Sequence, residues 1–380
     1  MPWKESSLMS SRLEFVMLAR APGANIRALC RAHGISPKTA YKLLKRFEES
    51  GIEGLQDRSR RPLTSPKRTS FELELQVLAL HVDYPCWGPA KLQALLPEEI
   101  RPHHNTVAAI LRRHGCQIEG AIDRSLLAPL RFEHEAPNLL WQMDFKGHFA
   151  LTDASAGRCH PLTVIDDHSR FALCLQALLG ETHDNVKAAL TQVFRLYGLP
   201  QRITCDNGGP WRIAGKDSIS RLEAWLIRLG IRISHSSPYH PQTQGKDERF
   251  HRTLKRELID RTGFNSHAAC QAAFDQWRDQ YNLVRPHGAL GQKPPSSRYT
   301  ASARQFPEQL PEIEYDEGDN VIKVRKSGQI QFKRRSFWVG EGLAGQPIAL
   351  RPSNIDGVYN VFYCNWEVTS IDLRIDSENG

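Results

Sequence analysis

Residues 141–147 read Trp-Gln-Met-Asp-Phe-Lys-Gly. Side chains alternate between the two faces of a β-strand, so the apolar side chains of this segment share one face and Asp144 lies on the other. A carboxylate that points away from the apolar face is available for a site. The stretch therefore predicts a strand that presents Asp144 for catalysis or binding.

A second acidic residue stands where a strand is expected to end. Asp206 directly follows the apolar residues 203–205 and precedes Gly208-Gly209. Ligand sites in open α/β sheets favour the carboxyl ends of strands. Taken alone, Asp206 would fit an ordinary Asp-Asn-Gly-Gly turn.

The third acidic residue lies on a predicted helix that starts near Thr243 and runs to about Arg261. Glu248 shares one face of this helix with three basic or aromatic donors, which we also predict to contact DNA: His251, Arg252 and Lys255. A salt-bridged surface face is the ordinary alternative for Glu248. Together, Asp144, Asp206 and Glu248 predict a site for two divalent metal ions, Mg²⁺ or Mn²⁺, as used in phosphodiester chemistry.

Other acidic residues compete for the same role. Asp247 adjoins Glu248, but its helical phase places it near the apolar stripe of the helix, and the helix dipole favours a negative charge in the first turn. We therefore favour Glu248 as the ligand. Asp166 and Asp167 precede His-Ser-Arg in a predicted hairpin and are interpreted as turn formers.

Charge and cysteine content narrow the class of protein. Residues 1–70 contain 14 basic and 6 acidic residues, so this segment accounts for the net charge of +8. A basic N-terminal segment, followed by a remainder of the chain with no net charge, indicates a polyanionic partner, most simply nucleic acid.

The 8 cysteines form no Cys-x-x-Cys pair, which fits a reducing cytoplasm rather than a disulfide framework or a cysteine-rich zinc site. We expect no secretory signal and no membrane span, hence a cytoplasmic, nucleoid-associated protein.

The basic N-terminal segment predicts a helix-turn-helix within a domain of residues 1–54. Ser36 is a good N-cap, Pro37 suits the first helical position, and the following helix has an apolar stripe at helical spacing. Its opposite side forms a predicted recognition surface for the DNA major groove. The residues of this surface are Lys38, Thr39, Lys42, Lys45 and Arg46.

Residues 55–70 predict a basic linker, and residues 71–120 a second helical DNA-binding domain. Phosphate contact and a plain soluble tether are equally compatible with the linker. The predicted DNA contacts of this region are Arg58, Arg60, Arg61, Arg112 and Arg113. The histidines at 103, 104 and 114 and Cys116 lack the spacing of a common zinc finger, and we expect no metal there.

Residues 121–300 predict a mixed sheet with helices on its faces, because three early strands, the first over residues 141–149, are followed by strands that alternate with helices. Residues 301–380 differ, with short alternating runs separated by Gly, Asn and Asp turns. These runs predict a small β-barrel. Its basic residues could contact DNA or simply form a solvated face. The fold class is thus multidomain α/β.

In combination and in this order, several motifs resemble those of bacterial insertion-sequence transposases with a retroviral-integrase-type catalytic core. They are Trp141–Asp144, Val164–Arg170, Asp206–Gly208, Ser237–Lys246, Glu248–Lys255, Tyr281-Asn282 and Arg285–His287. The resemblance implies an RNase H-like core in which Asp144, Asp206 and Glu248 are the metal-binding Asp-Asp-Glu triad. It also implies helix-turn-helix units that bind transposon ends, DNA contacts by Arg252 and Lys255, a small β-barrel after the core, and a homo-oligomer on double-stranded DNA.

The sequence departs from that pattern at three places. Position 247 is commonly apolar in such proteins but is Asp here, and the spacing from Asp206 to Glu248 is wider than in retroviral integrases. The integrase-type His/Cys zinc module is not apparent. Neither a DNA-binding regulator with an inert core nor an RNase H-like nuclease without strand transfer is excluded by sequence, but the intact triad and the helical DNA-binding units favour a transposase that nicks DNA and joins its 3′ ends to target DNA.

Overall fold

A computed structural model of the chain describes residues 8–57, 69–116, 133–206, 208–211, 219–235 and 245–374. It divides into two compact units, residues 1–69 and 70–380. None of the described helices is both long and apolar enough to cross a membrane.

The first unit is helical. Its helices are α1 (Leu8–Ala19), α2 (Ile26–Ala32) and α3 (Pro37–Ser50). Side chains of Asn25 and Ser36 cap α2 and α3 by accepting hydrogen bonds from the backbone N–H groups of Ala28 and Thr39. The predicted helix-turn-helix is therefore formed by α2 and α3. Helix α1 was not predicted, and it supplies the fully buried Phe15 and Val16 to their core.

The second unit begins with a helical group. Its helices are α4 (Phe71–Asp83), α5 (Pro89–Leu95) and α6 (His104–Arg113). Val77, Leu92 and Ile110, one from each helix, are fully buried together with Trp87. The ring of Trp87 stacks on Tyr84 with the ring centroids 4.1 Å apart. These helices agree with the predicted ones, since each stripe of apolar residues meets the other two.

The central part of this unit is built on a mixed sheet. Its strands are β1 (Trp141–Phe145), β2 (Phe149–Ala150), β3 (Arg158–Asp166), β4 (Ala172–Leu178), β5 (Arg202–Cys205) and β6 (Arg232–His235). They lie in the order β2-β3-β1-β5-β6, with β4 paired to β3. Strand β1 is antiparallel to β3 and parallel to β5. The strand predicted over 141–149 is interrupted, because Gly147 adopts a positive φ of 82° between β1 and β2.

Helices cover both faces of the sheet. They are α7 (His183–Tyr197), α8 (Arg221–Arg228), α9 (Gly245–Glu257) and α10 (His267–Leu283). Trp141 and Met143 pack in one cluster with Phe194 of α7 and Trp225 of α8. The other face packs against α9 and α10 through a second cluster that includes Phe250. The predicted long helix ends earlier than expected, at Glu257, and is followed by a 3-10 turn at Ile259–Arg261.

The C-terminal strands form two sheets. The strands are β7 (Asn320–Lys323), β8 (Gln329–Phe332), β9 (Arg335–Trp338), β10 (Pro347–Pro352), β11 (Val358–Tyr363) and β12 (Trp366–Asp372). One sheet has the order β12-β11-β10-β7, and β8 pairs with β9 in a separate hairpin. The expected closed barrel is therefore not confirmed within the described residues. Ala224 and Ile227 of α8 share the buried cluster of these strands, so α8 is apolar on two sides.

Candidate active site

The sheet brings Asp144 and Asp206 to neighbouring strand ends. Strands β1 and β5 run parallel, with Trp141 opposite Ile203 and Gln142 opposite Thr204. Continuing this register by two residues places Asp144, on β1, level with Asp206, directly after β5. The acidic pair predicted from sequence thus lies at one edge of the sheet, where the carboxyl ends of parallel strands meet.

The two carboxyl groups influence each other electrostatically. The side chain of Asp144 is only 25% exposed. Burial, followed by the nearby negative charge of Asp206, raises the pKa of Asp144 to about 7. The backbone N–H of Phe145 donates to Asp144 Oδ1 at 2.8 Å and partly opposes that rise. A positive charge near the Asp144 carboxyl group would therefore favour its ionised form.

A buried threonine and histidine support Asp144 from the next strand and from α9. Thr163 Oγ1 donates to the carbonyl oxygen of Asp144 at 2.9 Å. Its hydroxyl proton is thereby used, so the ring of His251 donates from Nε2 to Thr163 Oγ1 at 2.8 Å. Burial lowers the pKa of His251 to about 3, so the ring is neutral, and its Nδ1 lies 3.8 Å from Asp144 Oδ2.

This position corrects the expectation that His251 contacts DNA. The helical face predicted from sequence to be exposed turns inward at His251, which is 8% exposed. Arg252 and Lys255, the other basic residues of that face, are exposed on α9. The sequence could have indicated that His251 is buried while Arg252 and Lys255 are exposed, because Phe250 and Leu254 flank His251 on the buried side of the helix.

The first turn of α9 carries two adjacent carboxylates with opposite environments. Glu248 is exposed, whereas Asp247 is 2% exposed. Burial, then the charges of Asp144 and Asp167, raise the pKa of Asp247 well above its ordinary value. Asp247 Oδ1 has no hydrogen-bond partner among the residues that the structure describes. The helical phase predicted for Asp247 agrees with this burial.

The structure does not assemble the predicted triad into one cluster. Within the described ranges, no three His, Cys, Asp or Glu side chains are close enough to hold one metal ion. Asp144 and Asp206 are neighbours, and Glu248 stands apart on the surface of α9. Residues 236–244, which precede α9, lie outside the described part of the chain.

Asp166 and Asp167 are both buried, and each also bonds a residue outside the turn. Asp166 accepts hydrogen bonds from the backbone N–H groups of Ser169 and Asn138, both at 2.8 Å. Asp167 accepts from Gln142 of β1 at 2.8 Å and from Lys246 of α9. Asp166 thus forms the predicted turn, while Asp167 connects a strand and a helix that are distant in sequence.

A second histidine holds the backbone of Asp206. His235 Nδ1 lies 2.9 Å from the carbonyl oxygen of Asp206, and His235 Nε2 lies 2.7 Å from Glu223 Oε1. Glu223 also closes the capping box of α8 by accepting from the backbone N–H of Ser220 at 2.6 Å. Sequence reasoning missed this Glu–His pair. The Ser-x-x-Glu pattern at 220–223 signals the cap but not the histidine.

The predicted DNA contacts fall into different environments. Lys38, Thr39, Lys42 and Lys45 are exposed along α3, and Arg46 is half-buried. Arg58, Arg60 and Arg61 lie outside the described residues.

The two arginines at the end of α6 differ from each other. Both are exposed, and Arg113 is also hydrogen bonded to the buried Glu74, which bonds His114 at 2.8 Å. Arg113 therefore pairs with a buried carboxylate of α4, and its contact with DNA stays a prediction, as does that of Arg112.

Five family models match the chain. Two models described as integrase core domains match residues 134–241 and 229–295. A helix-turn-helix model matches residues 11–62, and a homeodomain-like model matches residues 39–111. The C-terminal domain of the IS481 family transposases matches residues 319–379.

Proteins of bacterial insertion elements are among the relatives. The 31.7 kDa protein of IS407 from Burkholderia multivorans is 26% identical over 217 residues, which cover 55% of this chain and 74% of that protein. The 39.2 kDa protein of IS476 from Xanthomonas euvesicatoria is 29% identical over 160 residues, 42% of this chain and 44% of that protein. The Gag-Pol polyprotein of baboon endogenous virus is 29% identical over 151 residues, 39% of this chain and 8% of the polyprotein.

Retroviral integrases are among the solved structures that match this chain. The integrase catalytic core of HTLV-2, solved in complex with magnesium, is 17% identical with a TM-score of 0.34 and covers 44% of this chain and 99% of that one.

Proposed function

We propose that this chain, a member of the bacterial insertion-sequence transposases with an integrase-type core, binds the ends of its own element, nicks DNA at those termini and joins the freed 3′-hydroxyls to target DNA. Its enzyme class is that of the Asp-Asp-Glu polynucleotidyl transferases. The observation that carries the proposal is the placement of Asp144 and Asp206 at adjacent ends of parallel strands, with a helix bearing Glu248 packed on the same sheet.

The carboxylates suit a divalent cation. Oxygen ligands are those that Mg²⁺ prefers. Burial, followed by repulsion from Asp206, raises the pKa of Asp144 to about 7, and a bound cation would offset both effects. We propose that Asp144 and Asp206 hold the metal and that Glu248 completes the site from α9. Two Mg²⁺ or Mn²⁺ ions, when bound, would supply an activated attacking oxygen and a stabilised leaving oxygen.

The chain's own residues then position that chemistry. Thr163 and His235 hold the backbone carbonyls of Asp144 and Asp206, so both carboxylates start from fixed main-chain positions. We propose that Arg252 and Lys255, which are exposed on α9, contact DNA phosphates. In each step one phosphodiester bond is broken as one P–O bond forms, with water and then the 3′-hydroxyl as nucleophile, so no energy source is needed.

DNA binding is assigned to the helical units. The exposed basic face of α3 is suited to the major groove, since a recognition helix reads bases there and its lysines meet phosphates. Joining two ends to one target requires two active sites, so we propose that a homo-oligomer assembles on the DNA.

The test uses purified full-length protein and a labelled duplex that carries the ends flanking its coding sequence, with Mg²⁺, with Mn²⁺ and with EDTA. Metal-dependent nicking at the terminus and joined products are expected, and Asp206→Asn should abolish both while leaving end binding intact. Specific binding without cleavage in either metal would contradict the proposal and favour a DNA-binding regulator. Nicking without joined products would favour a nuclease.

A further inference from the structure

Asp167 lies outside the acidic triad, and its buried side chain has several hydrogen-bond partners. Asp167 is 1% exposed, and Lys246, which bonds its Oδ1, is 16% exposed at the side chain. Lys246 Nζ also lies 3.3 Å from the carbonyl oxygen of Asp167. Burying two charges is costly unless they are paired and their other hydrogen bonds are satisfied, so this pair is a constrained feature of the fold.

Lys246 is in an unfavourable position for a lysine by helix electrostatics. It lies in the first turn of α9, where the helix dipole favours negative rather than positive charge. The helix dipole therefore does not favour the charge of Lys246 at this position, and its contact with Asp167 in the folded protein does. Burial by itself raises the pKa of Asp167, but the bonds from Lys246 and His134 together lower it, so Asp167 stays ionised.

The remaining bonds of Asp167 reach strand β1 and the segment before it. Gln142 Nε2 donates to Asp167 Oδ1 at 2.8 Å, and the backbone N–H of His134 donates to Oδ2 at 2.9 Å. The backbone N–H of Asp167 donates to the carbonyl oxygen of Leu140 at 3.0 Å. Asp167 is thus fixed to the strand that carries Asp144.

The two residues that bond Asp167 each lie two positions before a carboxylate in the sequence. Gln142 precedes Asp144 in β1, on the same face of the strand, and Lys246 precedes Glu248 in the first turn of α9, on a different face of the helix. The apolar contacts of α9, through Phe250 and Leu254, hold the helix on the sheet but are non-directional. A buried, charge-assisted hydrogen bond is directional and fixes where the first turn stands along the sheet.

We propose that the Asp167–Lys246 pair is a positioning device that fixes the Glu248-bearing turn of α9 against the Asp144-bearing strand. The functional part of this inference rests on the proposed transposase activity, because Glu248 is the third metal ligand only in that proposal. Catalytic groups must be held within fractions of an ångström, and misplacement by about 1 Å can lower a rate by roughly 100-fold.

The test compares Lys246→Met, which removes the charge at similar length, with Lys246→Arg, which retains it. Arg285→Met is the matched control, because Arg285 forms an equally buried ion pair with Glu257 at the other end of the same helix, with side chains 6% and 5% exposed. Hydrogen–deuterium exchange of residues 245–250 is measured in metal-free protein, and single-turnover nicking is measured across a Mn²⁺ titration.

We expect Lys246→Met to speed exchange in the first turn of α9, to lower the nicking rate by roughly 10- to 100-fold and to raise the Mn²⁺ concentration needed for half-maximal rate. Lys246→Arg should recover most of each effect, and Arg285→Met should change global stability without changing the Mn²⁺ requirement. Unchanged exchange of residues 245–250 in Lys246→Met would overturn the positioning role, whether or not the wild-type protein cleaves DNA. Altered exchange without cleavage by the wild type would instead contradict the proposed function alone.

Discussion

The ring of His235 bridges the carbonyl oxygen of Asp206 and the carboxylate of Glu223, at 2.9 Å and 2.7 Å. A backbone carbonyl oxygen can only accept, so the ring donates from Nδ1 to Asp206. The bridge ties the loop after β5 to the first turn of α8. It places a structural pair directly behind a predicted metal ligand, in the way that supporting groups orient ligands at known metal sites.

The His235 bridge predicts a graded loss of activity. His235→Ala should lower the single-turnover nicking rate by roughly 10- to 100-fold, because Asp206 loses its backbone support. Glu223→Gln should cost less, because an amide oxygen can still accept from the ring. His114→Ala, which removes a similar His–Glu pair with Glu74 2.8 Å away in the α4–α6 group, is the control and should leave the metal requirement unchanged. Equal effects of His235→Ala and His114→Ala on the Mn²⁺ titration would contradict the assigned role.

Substitutions of the neighbours Glu248 and Asp247 should have different effects on nicking activity and on stability. Glu248→Gln should abolish metal-dependent nicking with end binding retained. Asp247→Val should retain nicking and raise the unfolding temperature, because a buried carboxyl group with an unpaired oxygen costs about 1–3 kcal/mol. Calorimetry and the nicking assay measure the two quantities. Normal cleavage by Glu248→Gln, or its loss in Asp247→Val, would exchange the roles of these neighbours.

Lys91 makes stability depend on pH. Burial, followed by the charge of Arg285, lowers the pKa of Lys91 to about 8 from an ordinary value of 10.5. The unfolded chain therefore holds this proton more tightly, and the contribution of Lys91 to stability rises as pH increases from about 8 to 10.5. Lys91→Met should raise the unfolding temperature at pH 7, with a gain that shrinks across this window. The exposed Lys326→Met is the control, and a gain that is constant with pH would refute the explanation.

The exposed face of α3 predicts a salt-dependent interaction with DNA. Lys42→Ala should weaken binding to all duplexes and reduce the slope of log K against log salt by about 0.9 for each phosphate that is no longer neutralised. Its unfolding temperature should not change, since Lys42 is exposed on α3. Fluorescence anisotropy between low and moderate salt measures the slope. Glu49→Ala on the same helix should not reduce it, and an unchanged slope for Lys42→Ala would remove α3 from the DNA interface.

Local signals in the sequence were sufficient for much of the architecture. The cap at Ser36 and the apolar spacing of α3 and α6 predicted helices that the structure contains. The strand before Asp206 was recognised because an apolar run ended in a polar turn. Helix α1 and the interruption at Gly147 were missed, since neither is specified by a periodic pattern. The barrel was expected from strand composition, but strand pairing depends on contacts that composition does not encode.

The sequence by itself determined which residues carry charge and where most of the strands and helices form, because caps, periodicity and turn residues act within a few positions of the chain. It therefore identified Asp144, Asp206 and Glu248 as candidates and Asp247 as a buried exception. Only the tertiary structure joined His251 to Thr163 beneath Asp144 and Arg113 to Glu74. Only it joined Asp167 to Lys246, 79 residues further along the chain. Such pairings depend on which buried groups meet when the layers pack, and a buried polar group must find a partner there at whatever distance in sequence.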